Sequence, residues 1–144
     1  MVYSALEIAK YKIYREYNNG HIISNLKLQK VLYFIQAEFL VVNNCPCFKE
    51  DIVATDFGPV VLEVFHKYAV YGGSGIPYLK KDEFFLIGKD DLEMIDRVID
   101  ELRGYGASTL TLITLRQTPW KKSYVRSRKK TISCKLIKKY FEED

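Results

Sequence analysis

The feature that most constrains the fold is a long, mainly apolar segment that ends at Val42. It begins with polar residues at Ser24 and Asn25. Ser24 or Asn25 can cap a helix here, because their side-chain oxygens accept hydrogen bonds from free backbone N–H groups. Apolar residues then recur at helical spacing and cover far more than one stripe: Leu26, Leu28, Val31, Leu32, Tyr33, Phe34, Ile35, Phe39, Leu40, Val41 and Val42. A helix that is apolar on most sides must be surrounded by other elements. The sequence therefore predicts a fold built around this central helix.

Further helix starts are spread along the rest of the chain. Capping or first-turn residues predict five more helices, at Ser4 with Glu7, Pro59, Asp90 with Glu93, Ser108 and Ser133. Residues 118–120 are predicted to form a turn. Two short segments, Ile52–Thr55 and residues 83–87, can pair as a small two-stranded β-ribbon. The predicted fold is mainly α, a compact single-domain bundle of about six helices that covers residues 1–144.

The composition indicates a globular protein of a reducing compartment. With 48% hydrophobic and 14% aromatic residues, the chain can bury a core and is unlike a disordered segment. Its longest apolar region, residues 31–42, is interrupted by Gln36 and Glu38 and is too short to span a bilayer. The first residues lack the basic start and apolar stretch of a signal peptide. Three cysteines are too few for a disulfide framework, so we expect free thiols and a cytoplasmic location.

Charge is distributed unevenly along the chain. Residues 1–115 carry 12 basic and 15 acidic side chains, whereas residues 116–144 carry 10 basic and 3 acidic ones. The first part therefore has a net charge of −3 and the second a net charge of +7, which together give the overall +4. This pattern predicts a basic C-terminal segment on a mildly acidic body.

No combination of residues in the sequence indicates catalysis or metal binding. Glu63 and His66 have the spacing found in di-iron helix bundles, but such sites need a second motif and further carboxylates. Cys45, Cys47 and Cys134 lack the second close Cys or His pair of a zinc site. We therefore expect a binding protein rather than an enzyme, with no metal and no cofactor.

Two motifs resemble a known family. The first is S-N-L-K-L-Q-K at residues 24–30, followed by an aromatic-rich helix, and the second is G-P-V-V at residues 58–61, followed by E-V-F. With the Tyr-Gly at 71–72 and the Pro-Trp at 119–120, they are similar to the Panacea domain of the SocA-like antitoxins, which include phage-associated GepA-like proteins. The similarity runs over residues 5–141. Two departures are Ala54-Thr55, where many members have Ala-Trp, and Thr114-Leu115, where many have Thr-His.

The resemblance implies the function of a small, mainly helical antitoxin. Such domains are typically encoded beside a toxin, often in a prophage or mobile element, and neutralise it by direct protein–protein binding. The toxins paired with this family are diverse, so the resemblance implies a cognate toxin as partner without naming it. It leaves the oligomeric state open.

Polar or aromatic side chains at the ends of otherwise apolar helices are our candidate partner contacts: Asn25, Lys27, Lys30, Asp56, Phe57 and Trp120. Lys27 and Lys30 are three residues apart and should share a helix face that could meet acidic groups. The alternative is that Asn25 only caps the helix and the lysines are solvated. Gln29 could instead hydrogen-bond buried backbone near the Gly58-Pro59 turn.

The basic C-terminal segment supports other functions. Its candidate nucleic-acid contacts are Lys121, Lys122, Arg126, Arg128, Lys129 and Lys130. With Trp120, Tyr124 and Tyr140 between them, they could bind a nucleic-acid backbone, as a regulator of its own operon would. The same segment could instead dock an acidic toxin, where charge would speed association. A further alternative is an adaptor that delivers a toxin to a protease.

Overall fold

The computed structural model describes residues 2–79 and 85–143. The helices in these ranges are α1 (Ala5–Asn18), α2 (Asn25–Asn43), α3 (Leu62–Lys67), α4 (Lys89–Glu101), α5 (Ala107–Leu115), α6 (Thr118–Ser123) and α7 (Cys134–Glu142), with one 3₁₀ turn at Ala69–Tyr71. The strands are β1 (Ile23–Ser24), β2 (Ile52–Thr55), β3 (Gly58–Val60), β4 (Gly75–Ile76) and β5 (Lys130–Ile132). The mainly α prediction is confirmed.

Helix α2 is the centre of the molecule, as its apolar surface predicts. It contacts α1, α3, α4, α5 and α7 as well as β1 and β3. Ser24 is its cap, because its Oγ accepts a hydrogen bond from the Lys27 backbone N–H at 3.2 Å. Ser4 and Ser133 cap α1 and α7 in the same way, as predicted. None of the helices in the described residues is both long and apolar enough to cross a membrane.

The β-structure differs from the predicted ribbon. Strand β2 does form at Ile52–Thr55, but it pairs antiparallel with β3 on one side and with β5 on the other. Both edges of β2 are therefore occupied, and residues 85–87 are in no strand. Residues 83 and 84 lie outside the described residues. A separate two-stranded sheet pairs β1 with β4.

The predicted start of the third helix at Pro59 is wrong. Pro59 lies in β3, an edge strand, where a residue without a backbone N–H is tolerated. Val60 and Val61 favour extended backbone, and the Val61 N–H is bonded to the Gln29 side chain rather than to a helix. Helix α3 consequently begins only at Leu62.

Three other local predictions in the second half of the chain are also wrong. Helix α4 has Gly88 at its N-cap position and no side-chain cap, and Asp90 lies inside its first turn. The Gly88 N–H donates to the Tyr3 hydroxyl, which in turn donates to Asp91. Helix α5 begins at Ala107, before the predicted cap Ser108. Residues 118–120 form the start of α6 instead of a turn, with proline in the first helical turn where its missing N–H is not needed.

Candidate functional site

The polar residues at the start of α2 are directed into the protein and hold it to α3. Asn25 is only 4% exposed, and its Nδ2 donates to the Phe65 carbonyl at 2.9 Å. Its Oδ1 accepts from Gln29 Nε2 at 3.0 Å, and Gln29 Oε1 accepts from the Val61 backbone N–H at 2.9 Å. The prediction that Gln29 bonds buried backbone beside the Gly58-Pro59 turn is therefore confirmed. The prediction of Asn25 as a surface contact is wrong, since this network occupies its amide.

Lys30 is also buried, with an exposed fraction of 0%. Its Nζ donates to the Pro59 carbonyl at 2.9 Å. Burial lowers the pKa of Lys30 to about 7, because the low-dielectric interior disfavours the ammonium form. Lys27 is half-buried near the surface. The predicted exposed face shared by Lys27 and Lys30 is therefore wrong, and only Lys27 is placed to reach a partner.

The backbone at Gly58 passes close to this lysine. Gly58 has φ +90°, a conformation that glycine adopts without steric cost. A Cβ on Gly58 would lie 2.9 Å from Thr114 Oγ1 and 3.2 Å from Lys30 Cε. Only glycine fits here, so the turn between β2 and β3 is packed tightly against α2 and α5.

Asp56 and Phe57 form the tip of the β2–β3 hairpin. Thr55 stabilises the turn, because its Oγ1 donates to the Gly58 carbonyl at 2.9 Å and accepts from the Phe57 N–H at 3.1 Å. Phe57 is 58% exposed, whereas the Asp56 carboxylate accepts a hydrogen bond from the Tyr124 hydroxyl. The hairpin thus presents an aromatic ring to solvent while its acidic group is engaged within the protein.

Trp120 secures the hairpin from its other side. Its indole N–H donates to the Thr55 carbonyl at 2.8 Å, and its ring stacks on Tyr124 with 4.5 Å between the centroids. The ring is half-buried against the core. Trp120 therefore supports the hairpin, and little of its surface remains for a partner.

An open groove of about 290 Å³ lies beside the hairpin. Its lining residues are Thr55, Asp56, Phe57, Val60, Leu62, Phe65, His66, Ser127, Arg128 and Lys129. The groove brings Asp56 and Phe57, predicted as partner contacts, together with Arg128 and Lys129, predicted as nucleic-acid contacts. The other predicted contacts, Asn25, Lys27, Lys30 and Trp120, do not line it.

The basic side chains of the C-terminal segment are open to solvent. All six predicted nucleic-acid contacts are exposed: Lys121, Lys122, Arg126, Arg128, Lys129 and Lys130. None of them forms an ion pair with any residue that the structure describes. Their charge is therefore available to a ligand on this side of the molecule.

Sequence reasoning missed that Leu62 and Phe65 line a groove. It considered Tyr124 only as a nucleic-acid contact, not as a support for the hairpin. Leu62 and Phe65 lie in an apolar run that is equally typical of a fully buried helix. The available signal was the Asp-x-Gly turn between two short β-branched segments, which favours a hairpin. That hairpin would have placed Phe57 at an exposed tip.

The model of one protein family, the antitoxin SocA-like Panacea domain, matches residues 28–121, which is more than half of the chain. The chain belongs to this family. No curated protein and no solved structure matches it. In this Panacea domain the matched residues include most of α2, the β2–β3 hairpin, α3 and Trp120, whereas Arg128 and Lys129 lie beyond them. Family membership supports an antitoxin role in general terms.

Proposed function

We propose that this Panacea domain is an antitoxin that neutralises a cognate toxin by binding it directly. It acts by covering the toxin rather than by chemistry. The observation that carries the proposal is the groove beside the β2–β3 hairpin, where an exposed aromatic ring borders an apolar floor. We further propose that the gene lies beside its toxin in a prophage or mobile element, and that the protein acts in the cytoplasm.

The way the hairpin is held supports a binding role. Lys30 of α2 holds Pro59, while Trp120 and Tyr124, in α6 and at its C-terminal cap, hold Thr55 and Asp56. Two helices therefore fix the tip that carries Phe57. A surface that is already ordered loses little conformational entropy when a partner binds. Exposed aromatic side chains on such surfaces are frequent sources of interface energy.

The test is co-expression of this protein with the product of the neighbouring reading frame. We expect that product to stop growth when expressed alone and growth to resume when this chain is present. Affinity purification of the chain should then recover both proteins in a constant ratio. A neighbour that is harmless, or one that is neutralised with no complex, would contradict the proposal.

A nucleic-acid-binding regulator is the second candidate, favoured by the six exposed basic side chains without ion pairs. Against it, two of the aromatic rings in this segment, Trp120 and Tyr124, stack on each other, which leaves the exposed Phe57 ring beside Arg128 and Lys129 to stack on a base. Fluorescence anisotropy with DNA from upstream of the gene measures whether the protein binds that DNA specifically. Specific binding whose affinity falls steeply with salt would favour the regulator.

A further inference from the structure

The groove combines an apolar floor with an exposed aromatic rim. Val60 is buried, Leu62 and Phe65 are half-buried, and Phe57 leaves more than half of its surface in solvent. A concave apolar surface next to an exposed aromatic ring is typical of a site that receives one large apolar side chain of a partner.

The charge of the groove is positive. Arg128 and Lys129 are exposed at one wall and form no ion pair with a described residue. The only carboxylate in the lining, that of Asp56, already accepts a hydrogen bond from Tyr124. Glu63 of the adjacent α3 does not line the groove. A ligand in the groove therefore meets two cations without ion pairs and one carboxylate that is hydrogen-bonded to Tyr124, so the charged side chains of the lining sum to +1.

We infer that this groove seats an acidic segment of the toxin that carries one large apolar side chain. The apolar side chain lies on Val60, Leu62 and Phe65 under the Phe57 ring, and the carboxylates pair with Arg128 and Lys129. This inference rests on the proposed antitoxin function, because it specifies which surface meets the toxin and what chemistry the toxin presents there.

A protein segment fits the groove better than a nucleic acid does. A phosphate backbone would pair with the cations, but it has no apolar group to pack on the apolar floor. The other four exposed cations of the basic segment, Lys121, Lys122, Arg126 and Lys130, do not line the groove. The combination of apolar floor and basic wall thus favours an acidic peptide segment with an apolar anchor.

The first test measures the affinity of the purified product of the neighbouring reading frame for groove variants. Phe57→Ala removes the aromatic rim, and R128E/K129E reverses the charge of the basic wall. We expect each to weaken binding by at least about tenfold. Both changes are at exposed positions, so circular dichroism and thermal melts should show that the variants remain folded.

Two matched variants serve as controls. Val70→Ala shortens another exposed apolar side chain, which is 82% exposed and lies outside the groove. K121E/K122E reverses the same amount of charge elsewhere in the basic segment. We expect both to change the affinity by less than about threefold. Equal losses for K121E/K122E and R128E/K129E would indicate a general electrostatic effect and overturn the inference.

A charge exchange then tests the chemistry of the toxin segment. Hydrogen exchange should show protection of residues 55–66 and 125–129 on complex formation, and of one acidic segment in the neighbouring product. Replacing the acidic residues of that segment by lysine should restore binding to R128E/K129E. A wild-type complex that forms but is insensitive to every groove variant overturns this inference alone. The absence of any wild-type complex overturns the proposed function as well.

Discussion

At the scale of single residues, Lys30 joins the central helix to the hairpin through a hydrogen bond made inside the protein. Among the described residues no carboxylate pairs with this amine, and the Pro59 carbonyl is its acceptor. Its pKa falls from 10.5 to about 7, because burial disfavours the charged form. Between these two pH values the unfolded chain binds more protons at this position than the folded protein does.

This difference predicts how stability depends on pH. Stability rises with pH wherever the unfolded state binds more protons, so the cost of burying Lys30 is fully present below about pH 7 and is relieved above it. Relative to Lys30→Met, the wild-type free energy of unfolding should increase by about 2 kcal/mol between pH 7 and pH 9. Urea denaturation of the wild type and of Lys30→Met at each pH measures this difference in the free energy of unfolding.

Lys30→Arg is the control for this prediction. Arginine stays charged over the whole range, so its difference from Lys30→Met should not vary with pH. If the free energy of unfolding changed equally with pH in the wild type and in Lys30→Met from pH 7 to pH 9, a lowered pKa of Lys30 would be contradicted.

Gly58 gives a second prediction at the residue scale. Gly58→Ala places a side chain at φ +90° and brings its Cβ to 2.9 Å from Thr114 Oγ1. We expect a loss of about 2–4 kcal/mol from backbone strain and steric conflict together. Gly73→Ala is the control, because a Cβ there meets nothing within 4 Å. Equal melting temperatures for the two variants would disprove the tight turn.

At the scale of elements, the structure shows which parts of the fold depend on nearby sequence. Ser4, Ser24 and Ser133 were identified correctly as helix caps because a cap bonds backbone only three residues away. The partner of β2 was missed because β5 lies more than 70 residues further along the chain. The inward direction of Lys30 was missed because its acceptor, the Pro59 carbonyl, lies in the β2–β3 hairpin, which the sequence analysis did not predict.

Gln36 illustrates how α2 organises the segment that follows it. Its Oε1 accepts from the backbone N–H groups of Cys47 and Phe48 at 2.8 and 3.1 Å, and its Nε2 donates to the Phe48 carbonyl at 3.0 Å. Gln36→Leu would leave all three backbone groups buried without these partners. We expect a loss of about 2–5 kcal/mol in the free energy of unfolding.

Glu38 on the same helix provides the matched control for that measurement. It is half-buried and its side chain makes no hydrogen bond with a residue that the structure describes, so Glu38→Leu should change stability by no more than about 0.5 kcal/mol. Chemical denaturation of both variants gives the loss in the free energy of unfolding for each. A Gln36→Leu protein as stable as Glu38→Leu would show that Gln36 does not hold the loop after α2.

At the scale of the whole molecule, the fold joins two sets of residues that the sequence presents as competing sites. Asp56 and Phe57 come from the middle of the chain, and Arg128 and Lys129 from the basic segment, yet all four line one groove. The residue types were predictable from charge and exposed aromatic character. Their meeting was not, because it depends on β5 bringing the basic segment alongside the β2–β3 hairpin.

The groove's charge predicts the kinetics of toxin association. If an acidic segment enters a basic groove, electrostatic steering accelerates encounter and salt screens it. We expect the association rate constant to fall by about tenfold between 50 and 500 mM salt, with a smaller change for R128E/K129E. Stopped-flow fluorescence measures both rates. A wild-type rate that is independent of salt would contradict a role for this charge.

The most direct test of the central claim is calorimetric titration of this protein with the purified product of the neighbouring reading frame. The account predicts saturable binding at a fixed molar ratio, with affinity in the nanomolar to micromolar range of about −8 to −12 kcal/mol. It also predicts that Phe57→Ala weakens that binding and, in parallel, the rescue of growth. A toxic neighbour that is neutralised in cells but shows no binding in the calorimeter would contradict direct neutralisation.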